Sequence, residues 1–300
     1  MMFAAVVLLA LQFSTNKAYS IRCGSTASAS LTFTTIAGFL SAAVSLLIAF
    51  ATGEGFSVTP YSLVMAFLVA VFCCTYTFIG FKIMSLGNMS VYTMFLMLGG
   101  MLLPYLFGVF WLSEDVSLWR VIGVLLLVFS LAFPVIAKNK EGKSSAVFIV
   151  LCLAVFVLNG CVSITSKIHQ INETYETIGS ASFSCISNAI NGVISACGLA
   201  VMNAKNKKSE SFKEFQGKIA ANKKAAALIV TANAACNGVS YMLQLVSAGK
   251  LDASVMYPML TGGSVVLSAL AGFVFFKEKP DRISFIGLLL SFAATFLFLF

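Results

Sequence analysis

Two apolar stretches of the chain carry carboxamide and hydroxyl side chains at helical spacing. In the run 178–203 these residues follow an i, i+4, i+7, i+11 pattern, which places them on one face of a helix; they are Ser184, Asn188, Asn191 and Ser195. The run 225–248 repeats this pattern with Asn233, Asn237, Ser240, Tyr241 and Gln244. Amides and hydroxyls form neutral hydrogen bonds. The chemistry they predict is therefore the binding of a neutral or zwitterionic solute.

Other apolar runs add polar residues to this candidate set. They are Gln12, Asn16, Asn159, Tyr257 and Thr261. An isolated serine in such a run is explained by hydrogen bonds between packed helices. Two asparagines, a tyrosine and a glutamine on one face of 225–248 exceed what packing needs, so we interpret this face as the wall of a water-filled cavity.

Three further residues are singled out by their chemistry. Lys82 lies about a turn from the end of an apolar run. Its ammonium either pairs with the carboxylate of an anionic metabolite or extends to the membrane surface. Pro104 and Pro258 lie inside apolar runs, where each frees a backbone carbonyl, so both are hinge candidates, with a tolerated kink in a membrane helix as the alternative.

The charged and metal-binding residue types argue against catalysis and cofactors. The chain has one histidine, His169, which we expect in a solvated loop, and its eight cysteines form no C-x-x-C pair. No Asp or Glu lies in the middle third of an apolar run, and the phosphate-binding motif G-x-x-x-x-G-K-[ST] is absent. We therefore expect no enzyme activity, no metal and no cofactor, and we interpret the cysteines as packing residues.

The composition places most of this chain in lipid. Hydrophobic residues make up 59% of it and charged residues 10%, whereas soluble domains have about 25% charged residues. Ten apolar runs are each about long enough to cross a bilayer as a helix: 2–19, 28–52, 61–86, 90–112, 118–137, 145–168, 178–203, 225–248, 253–276 and 283–300. The sequence thus predicts an all-α polytopic membrane protein with ten transmembrane helices. The first run lacks a basic leading segment, so we expect it to remain a helix rather than a cleaved signal peptide.

Basic residues are distributed unevenly between the loops. All but three of the 19 Lys and Arg residues fall in alternate loops, the exceptions being Arg120, Lys167 and Lys250. The positive-inside rule predicts that the lysine-rich loops are cytoplasmic and that both termini lie outside. This topology also explains the net charge of +8, so we expect a lipid bilayer as partner and no nucleic acid.

The two halves of the chain resemble each other. A shift of 164 residues aligns the region 90–126 with 254–290 without a gap. The aligned identities include Gly99/Gly263, Gly108/Gly272, Glu114/Glu278 and Gly123/Gly287. Each half contains five runs, so the second half enters the membrane in the opposite orientation. We predict a first repeat over 1–137, a linker over 138–144 and a second repeat over 145–300, with Glu114 and Glu278 anchoring equivalent loops.

The repeated motif identifies a family resemblance. A run ends in Thr-x-Lys (Thr15 and Lys17, Thr165 and Lys167), and Ser-Val…Gly…Gly-(x)5-Glu-(x)8-Gly-x-Leu-Leu follows in each half. This pattern resembles the drug/metabolite transporter superfamily, with the ten-helix EamA-type transporters as the nearest group. The resemblance covers essentially the whole chain. It implies that the first, third, fourth, sixth, eighth and ninth helices line the solute path.

Two departures from the family matter. Its members usually keep both termini in the cytoplasm, whereas the charge distribution here predicts the reverse. The small multidrug resistance relatives exchange protons through a glutamate embedded in their first helix. At that depth this sequence has Gln12 and, in the second half, Asn159, which disfavours proton-coupled exchange of cationic drugs.

These observations predict a secondary transporter. It would move a small organic solute, such as an amino acid or a sugar-like metabolite, across the cytoplasmic membrane by alternating access. A non-transporting membrane scaffold or sensor with the same fold is the alternative from another class, and an uncoupled facilitator is a third. The sequence leaves open the solute, the direction, the coupling ion and whether the chain forms homo-oligomers.

Overall fold

The computed structural model of the chain describes residues 1–24, 26–86, 89–138, 146–206, 217–277 and 282–298, and these ranges contain helices but no strand. A helix of 16 residues or more lies on each of the ten predicted runs. The helices are α1 Met2–Cys23, α2 Ala27–Ala51, α3 Pro60–Leu86, α4 Met89–Phe110, α5 Leu118–Lys138, α6 Ala146–Ile171, α7 Ser180–Asn206, α8 Lys223–Ala248, α9 Ala253–Phe276 and α10 Arg282–Leu297. Of the predicted linker 138–144, only Lys138 belongs to the described residues.

Hydroxyl side chains begin two of these helices. The Thr26 hydroxyl oxygen accepts a hydrogen bond from the backbone N–H of Ala29 at 3.3 Å, which satisfies one free donor at the start of α2. Thr59 does the same for the N–H of Ser62 at 3.3 Å, with Pro60 as the first residue of α3. Proline suits that position because its fixed φ is helical and its missing N–H has no intrahelical partner there.

Seven of the helices are long and apolar enough to cross a membrane: α2, α3, α4, α6, α7, α8 and α9. Residues 118–133 of α5 and 282–297 of α10 form shorter apolar helices. The outward surface is apolar, with Leu47, Phe110 and Leu228 each at least 69% exposed, while many serines are buried. Water would disfavour such a surface and lipid favours it. The chain is therefore a multi-pass membrane protein.

Helices of the first half of the chain pack against helices of the second half. α1 lies against α8 and α9, and α6 lies against α3 and α4. α2 packs along α7 and contacts α8, while α7 also contacts α3. α5 and α10 form a separate pair, joined by a hydrogen bond of 2.7 Å between the hydroxyls of Ser130 and Ser291. The interior thus lies between α1–α4 and α6–α9.

Glycines allow the closest of these helix contacts. A Cβ atom at Gly38 of α2 would lie 3.0 Å from the Cα atom of Gly192 in α7. In the α4–α6 pair, a Cβ atom at Gly160 would lie 2.9 Å from the carbonyl oxygen of Gly99. Small residues let membrane helices approach until their backbones touch, which increases the van der Waals contact that holds them together.

Four connections meet at one end of the bundle: 52–59, 111–117, 172–179 and 249–252. We name it the acidic end because of the carboxylates that it carries, which are Glu54, Glu114, Asp115, Glu173, Glu176 and Asp252. Hydrogen bonds hold these connections in place: the Thr59 hydroxyl donates to the carbonyl of Glu176 at 2.9 Å, and the N–H of Ser57 donates to the hydroxyl of Ser182 in α7 at 3.4 Å. We name the opposite end the basic end, because Arg22, Lys223 and Lys277 lie there at the ends of α1, α8 and α9.

Candidate functional site

A cavity of about 420 Å³ lies in the middle of the bundle. Its described lining residues come from α1, α2, α3, α4, α6, α7, α8 and α9, and none comes from α5 or α10. This volume falls within the usual range for sites that hold small organic molecules.

Eleven of the twelve candidate residues line this cavity: Gln12, Asn16, Asn159, Asn188, Asn191, Asn233, Asn237, Tyr241, Gln244, Tyr257 and Thr261. The twelfth is Lys82 of α3, whose side chain lies outside the described part of the structure. The geometry therefore brings side chains from five helices to one space. That they contact a solute stays a prediction.

A line of hydrogen bonds crosses the cavity wall from α1 to α7. The amide nitrogen Nε2 of Gln12 donates to Oδ1 of Asn237 at 3.1 Å, and Nδ2 of Asn237 donates to Oδ1 of Asn188 at 3.0 Å. The Asn188 amide then donates to the backbone carbonyl of Ser184 at 2.9 Å. Asn237 also donates to the hydroxyl of Ser41 at 3.1 Å. One side chain of α8 thus connects α1, α2 and α7.

Asn233 holds α8 against α1 one turn nearer the basic end. Its Nδ2 atom lies 2.8 Å from the Thr15 hydroxyl, 2.8 Å from Oδ1 of Asn16 and 3.2 Å from the carbonyl oxygen of Gln12. Three acceptors therefore surround one amide group, which fixes its orientation. Asn233 is 2% exposed, whereas Asn16 is exposed.

The other wall of the cavity is formed by α4, α6 and α9. Asn159 donates to the backbone carbonyl of Leu96 at 2.7 Å, which joins α6 to α4. The Tyr257 hydroxyl donates to the carbonyl of Ser163 at 2.7 Å, which joins α9 to α6. Nearby, the hydroxyls of Tyr241 and Ser166 lie 3.1 Å apart. These bonds position polar side chains that the sequence pattern alone places only on a helix face.

The structure adds lining residues that the sequence interpretation did not select. On α3 these are Cys73, Tyr76 and Thr77, and on α7 the addition is Ser187. Cys73 Sγ lies 3.3 Å from the Tyr76 hydroxyl. The sequence feature that could have predicted the α3 lining is the cluster of thiol and hydroxyl side chains over 73–77, within an otherwise apolar run. Ser187 lies only one position from Asn188 and outside the i, i+4 pattern.

The polar side chains lie among apolar lining residues such as Phe33 and Leu96, and none of them is charged. No Asp, Glu, Lys, Arg or His occurs among the described residues that line the cavity. The Ser187 hydroxyl oxygen, in a residue 4% exposed, makes no hydrogen bond to any described residue. A buried hydroxyl without a partner costs free energy unless water or a ligand satisfies it.

Lys167 lies at the acidic end, bonded to the cavity residue Ala248. The charge distribution predicts that Lys167 belongs to a loop, but it lies in α6 and is 4% exposed. Its ammonium donates to the backbone carbonyls of Ala248 at 2.8 Å and Leu251 at 2.6 Å, at the turn between α8 and α9. Its burial follows from that turn, which supplies two carbonyl acceptors within the bundle.

Glu114 fixes the same turn from the α4–α5 connection. Its two carboxylate oxygens accept hydrogen bonds from the backbone N–H groups of Ala253 at 2.7 Å and Ser254 at 2.8 Å. A carboxylate is favourable there because the first amides of a helix have no internal acceptors and carry partial positive charge. Glu114 therefore anchors a loop, as the repeat predicts. Glu278, its counterpart, lies outside the described residues.

The expectation that His169 lies in a solvated loop is wrong. His169 occupies the last turn of α6 with 0% exposure. Its Nε2 atom lies 2.8 Å from the Ser62 hydroxyl, and its ring centroid lies 3.9 Å from that of Phe183. The helix continues beyond the predicted end of this run, which carries the imidazole between α3 and α7.

Both hinge candidates lie inside helices, Pro104 in α4 and Pro258 in α9. Both side chains are fully buried, and Pro258 follows the cavity residue Tyr257 directly. Neither helix is interrupted at its proline. A hinge role for these residues stays a prediction.

Comparisons with known proteins give a fold and no family. No protein-family model matches the chain, and no curated protein matches it. Among solved structures, 28 chains match. One of them, from a crystal structure of a protein, has a TM-score of 0.74 and 16% sequence identity, over 99% of this chain and 94% of that chain. Similarity at this level of identity shows a shared fold.

Proposed function

We propose that the chain is a secondary transporter that moves a small organic solute across the cytoplasmic membrane by alternating access. The observation that carries this proposal is the uncharged, hydrogen-bonding cavity between α1–α4 and α6–α9. Bonds between helices account for several amide nitrogens of the eight lining carboxamides, but helix packing does not account for amide oxygens such as those of Gln12 and Asn159, which have no donor among the described residues.

The proposal includes ten transmembrane helices in two inverted five-helix repeats. Exchange of each helix with the one five places later converts the α1–α8 contact into α6–α3, α1–α9 into α6–α4, and α2–α8 into α7–α3. The α2–α7, α4–α9 and α5–α10 contacts map onto themselves. This symmetry of contacts supports the duplication. We carry the resemblance to EamA-type drug/metabolite transporters into the proposal on the repeated residues.

In this proposal the structure represents the state open toward the cytoplasm. Ala248, Met256 and Tyr257 line the cavity nearest the acidic end and are at most 5% exposed. Asn16, toward the basic end, is exposed. The positive-inside rule assigns the basic end to the cytoplasm. Transport would require the contacts of Lys167 and Tyr257 to open on the outer side.

Flux from proteoliposomes tests this proposal. Purified chain is reconstituted into liposomes that contain an isotopically labelled metabolite extract, and mass spectrometry identifies each labelled solute that leaves. We expect selective efflux of at least one solute. Asn237→Leu should abolish this efflux, because it removes hydrogen bonds to α1, α2 and α7 at the cavity wall.

Thr75→Leu is the matched control. Thr75 is exposed on α3 and its hydroxyl bonds only to the Val71 carbonyl of the same helix, so flux should persist. If no labelled solute leaves faster than from protein-free liposomes, the transporter proposal is wrong and the scaffold alternative stands. Equal flux through the Asn237→Leu protein and the parent chain would show that the solute does not pass through this cavity.

A further inference from the structure

The carboxamides of the cavity have defined orientations, because backbone carbonyls can only accept hydrogen bonds. The Asn188 nitrogen must face the Ser184 carbonyl, so its oxygen faces Asn237 and requires a donor there. Asn237 then presents its nitrogen to Asn188 and its oxygen to Gln12. Gln12 supplies its nitrogen to that bond, and its oxygen Oε1 is left over.

The same reasoning orients three more amides. Asn159 must present its nitrogen to the Leu96 carbonyl, and Asn233 must present its nitrogen to the Gln12 carbonyl. The Ser240 hydroxyl donates to the Ala5 carbonyl at 2.9 Å. It can therefore only accept from Gln244, whose nitrogen lies 3.1 Å away. In each case the amide oxygen is the atom that remains.

Four carbonyl oxygens of the lining therefore lack a donor among the described residues. They are Oε1 of Gln12, Oδ1 of Asn159, Oδ1 of Asn233 and Oε1 of Gln244. The hydroxyl protons of Ser163 and Tyr257 are used on backbone carbonyls. The cavity therefore offers these oxygens as acceptors, and the amide nitrogens of Gln12, Asn159 and Gln244 each keep a second N–H as a donor.

The lack of charged side chains among the described lining residues restricts the charge that a ligand can carry. A carboxylate or phosphate would be buried without a cation among the described lining residues, and an ammonium would be buried without an anion. Burial of an unpaired charge is far more costly than burial of a hydroxyl that finds a partner. A polar group left unpaired by a poor ligand also costs free energy.

We propose that the solute recognised by this cavity is an uncharged molecule with several O–H or N–H donors, which the oxygens of Gln12, Asn159, Asn233 and Gln244 accept. This inference rests on the proposed transport function, because it takes the ligand to be the transported solute. It concerns binding, however, so it can be tested without a measurement of flux. It excludes anions, zwitterions and solutes that carry only acceptors.

Equilibrium binding to the full chain in lipid nanodiscs tests the inference with a matched series. Radiolabelled erythritol, xylitol and glucose are the probes. The competitors are penta-O-methyl xylitol, pentylammonium, norvaline and glutarate, which have the same chain length but lack donors or add charge. We expect saturable binding of at least one probe, and at least tenfold weaker competition by every charged or methylated compound.

Variants at Gln244 identify the site. Gln244→Met removes the acceptor at similar size, and binding of the probe should weaken by about threefold to tenfold. Gln244→Glu keeps an oxygen and adds a negative charge, so it should gain binding of pentylammonium. A purely structural role for Gln244 would produce no such gain. Thr75→Val, on the outer surface of α3, should bind as the parent chain does.

Several outcomes overturn the inference. These are no binding by any of the three probes, equal competition by the methylated ether, and tighter binding of glutarate, norvaline or pentylammonium than of the probes. Failure of the transport proposal is distinguishable. Polyol binding without flux in proteoliposomes leaves this inference standing, whereas selective flux of an anion supports transport and overturns the neutral ligand.

Discussion

The side-chain amide of Gln12 donates to Oδ1 of Asn237 at 3.1 Å, and this bond joins the first helix of the chain to α8. The two residues are separated by 225 positions. Asn237 passes the connection on to Ser41 of α2 and Asn188 of α7. A polar contact between helices of the two halves is therefore part of both the packing and the cavity wall.

A double-mutant cycle at this pair should reveal coupling. Gln12→Met and Asn237→Leu each remove one partner, so each should lower stability, and the double variant should lose less than the sum. The expected coupling is about 0.6 kcal/mol and at most about 1.7 kcal/mol, as for other hydrogen bonds between membrane helices. Thermal unfolding in detergent measures it. Additive losses would show that the bond contributes nothing.

Helix periodicity predicted much of the candidate site because polar side chains in a membrane helix avoid lipid. Asn188, Asn233 and Asn237 lie on helix faces that the bundle turns inward, and their sequence spacing contains that information. Lys167 and His169 were not predictable in this way. A charged or titratable residue near the end of an apolar run resembles a loop residue, and only tertiary packing shows that it is buried.

Substitution of Gly38 should separate α2 from α7. The Cβ atom of Gly38→Val would lie 3.0 Å from the Gly192 backbone, so the helices must move apart and lose contacts. We expect a lower thermal midpoint, corresponding to a loss of about 1–3 kcal/mol as for overpacked cores. Ala43→Val, on the exposed face of the same helix, is the control and should match the parent chain. A Gly38→Val protein with an unchanged midpoint would contradict the close packing.

His169 should carry its proton on Nε2. The Ser180 hydroxyl donates to Oε1 of Gln170 at 2.9 Å, so the Gln170 nitrogen is the atom directed at Nδ1 of His169 at 3.1 Å. Nδ1 therefore accepts, and Nε2 donates to Ser62. The chain has one histidine, so nitrogen NMR of labelled protein reports this tautomer directly. A spectrum of the Nδ1-protonated form would refute the assignment.

The same histidine should contribute measurably to stability. His169→Phe keeps a ring against Phe183 but removes the hydrogen bond to the Ser62 hydroxyl, which keeps the Ile178 N–H as a donor, so the cost is about 0.5–1.5 kcal/mol. The thermal midpoint should fall accordingly. Tyr175→Phe, at a ring that is 61% exposed, is the control and should leave the midpoint unchanged.

Labelling in intact cells should distinguish the two ends of the bundle. A membrane-impermeant maleimide should react with Glu173→Cys, which is exposed at the acidic end, and should miss Ser211→Cys. Ser211 lies outside the described residues but within the lysine-rich loop that we assign to the cytoplasm. The unsubstituted chain gives the background from its eight cysteines. Reaction at Ser211→Cys and none at Glu173→Cys would reverse the proposed orientation.

Removal of the Lys167 ammonium should loosen the acidic end. Lys167→Met keeps the aliphatic stem but removes both hydrogen bonds to the carbonyls of Ala248 and Leu251. Hydrogen bonds from a charged group contribute about 1.5–3 kcal/mol, so local opening should become about tenfold to a hundredfold more frequent. Hydrogen exchange measured by mass spectrometry should therefore accelerate over residues 249–256.

Lys250→Met provides the matched control for this experiment. Lys250 lies on the same turn but is exposed, so its removal should leave exchange over 249–256 unchanged. If Lys167→Met and Lys250→Met behave alike, the buried ammonium does not hold the turn. If only Lys167→Met accelerates exchange, the turn between α8 and α9 depends on a cation supplied by α6. The turn beside the cavity residue Ala248 is then held by a side chain from the first helix of the second half.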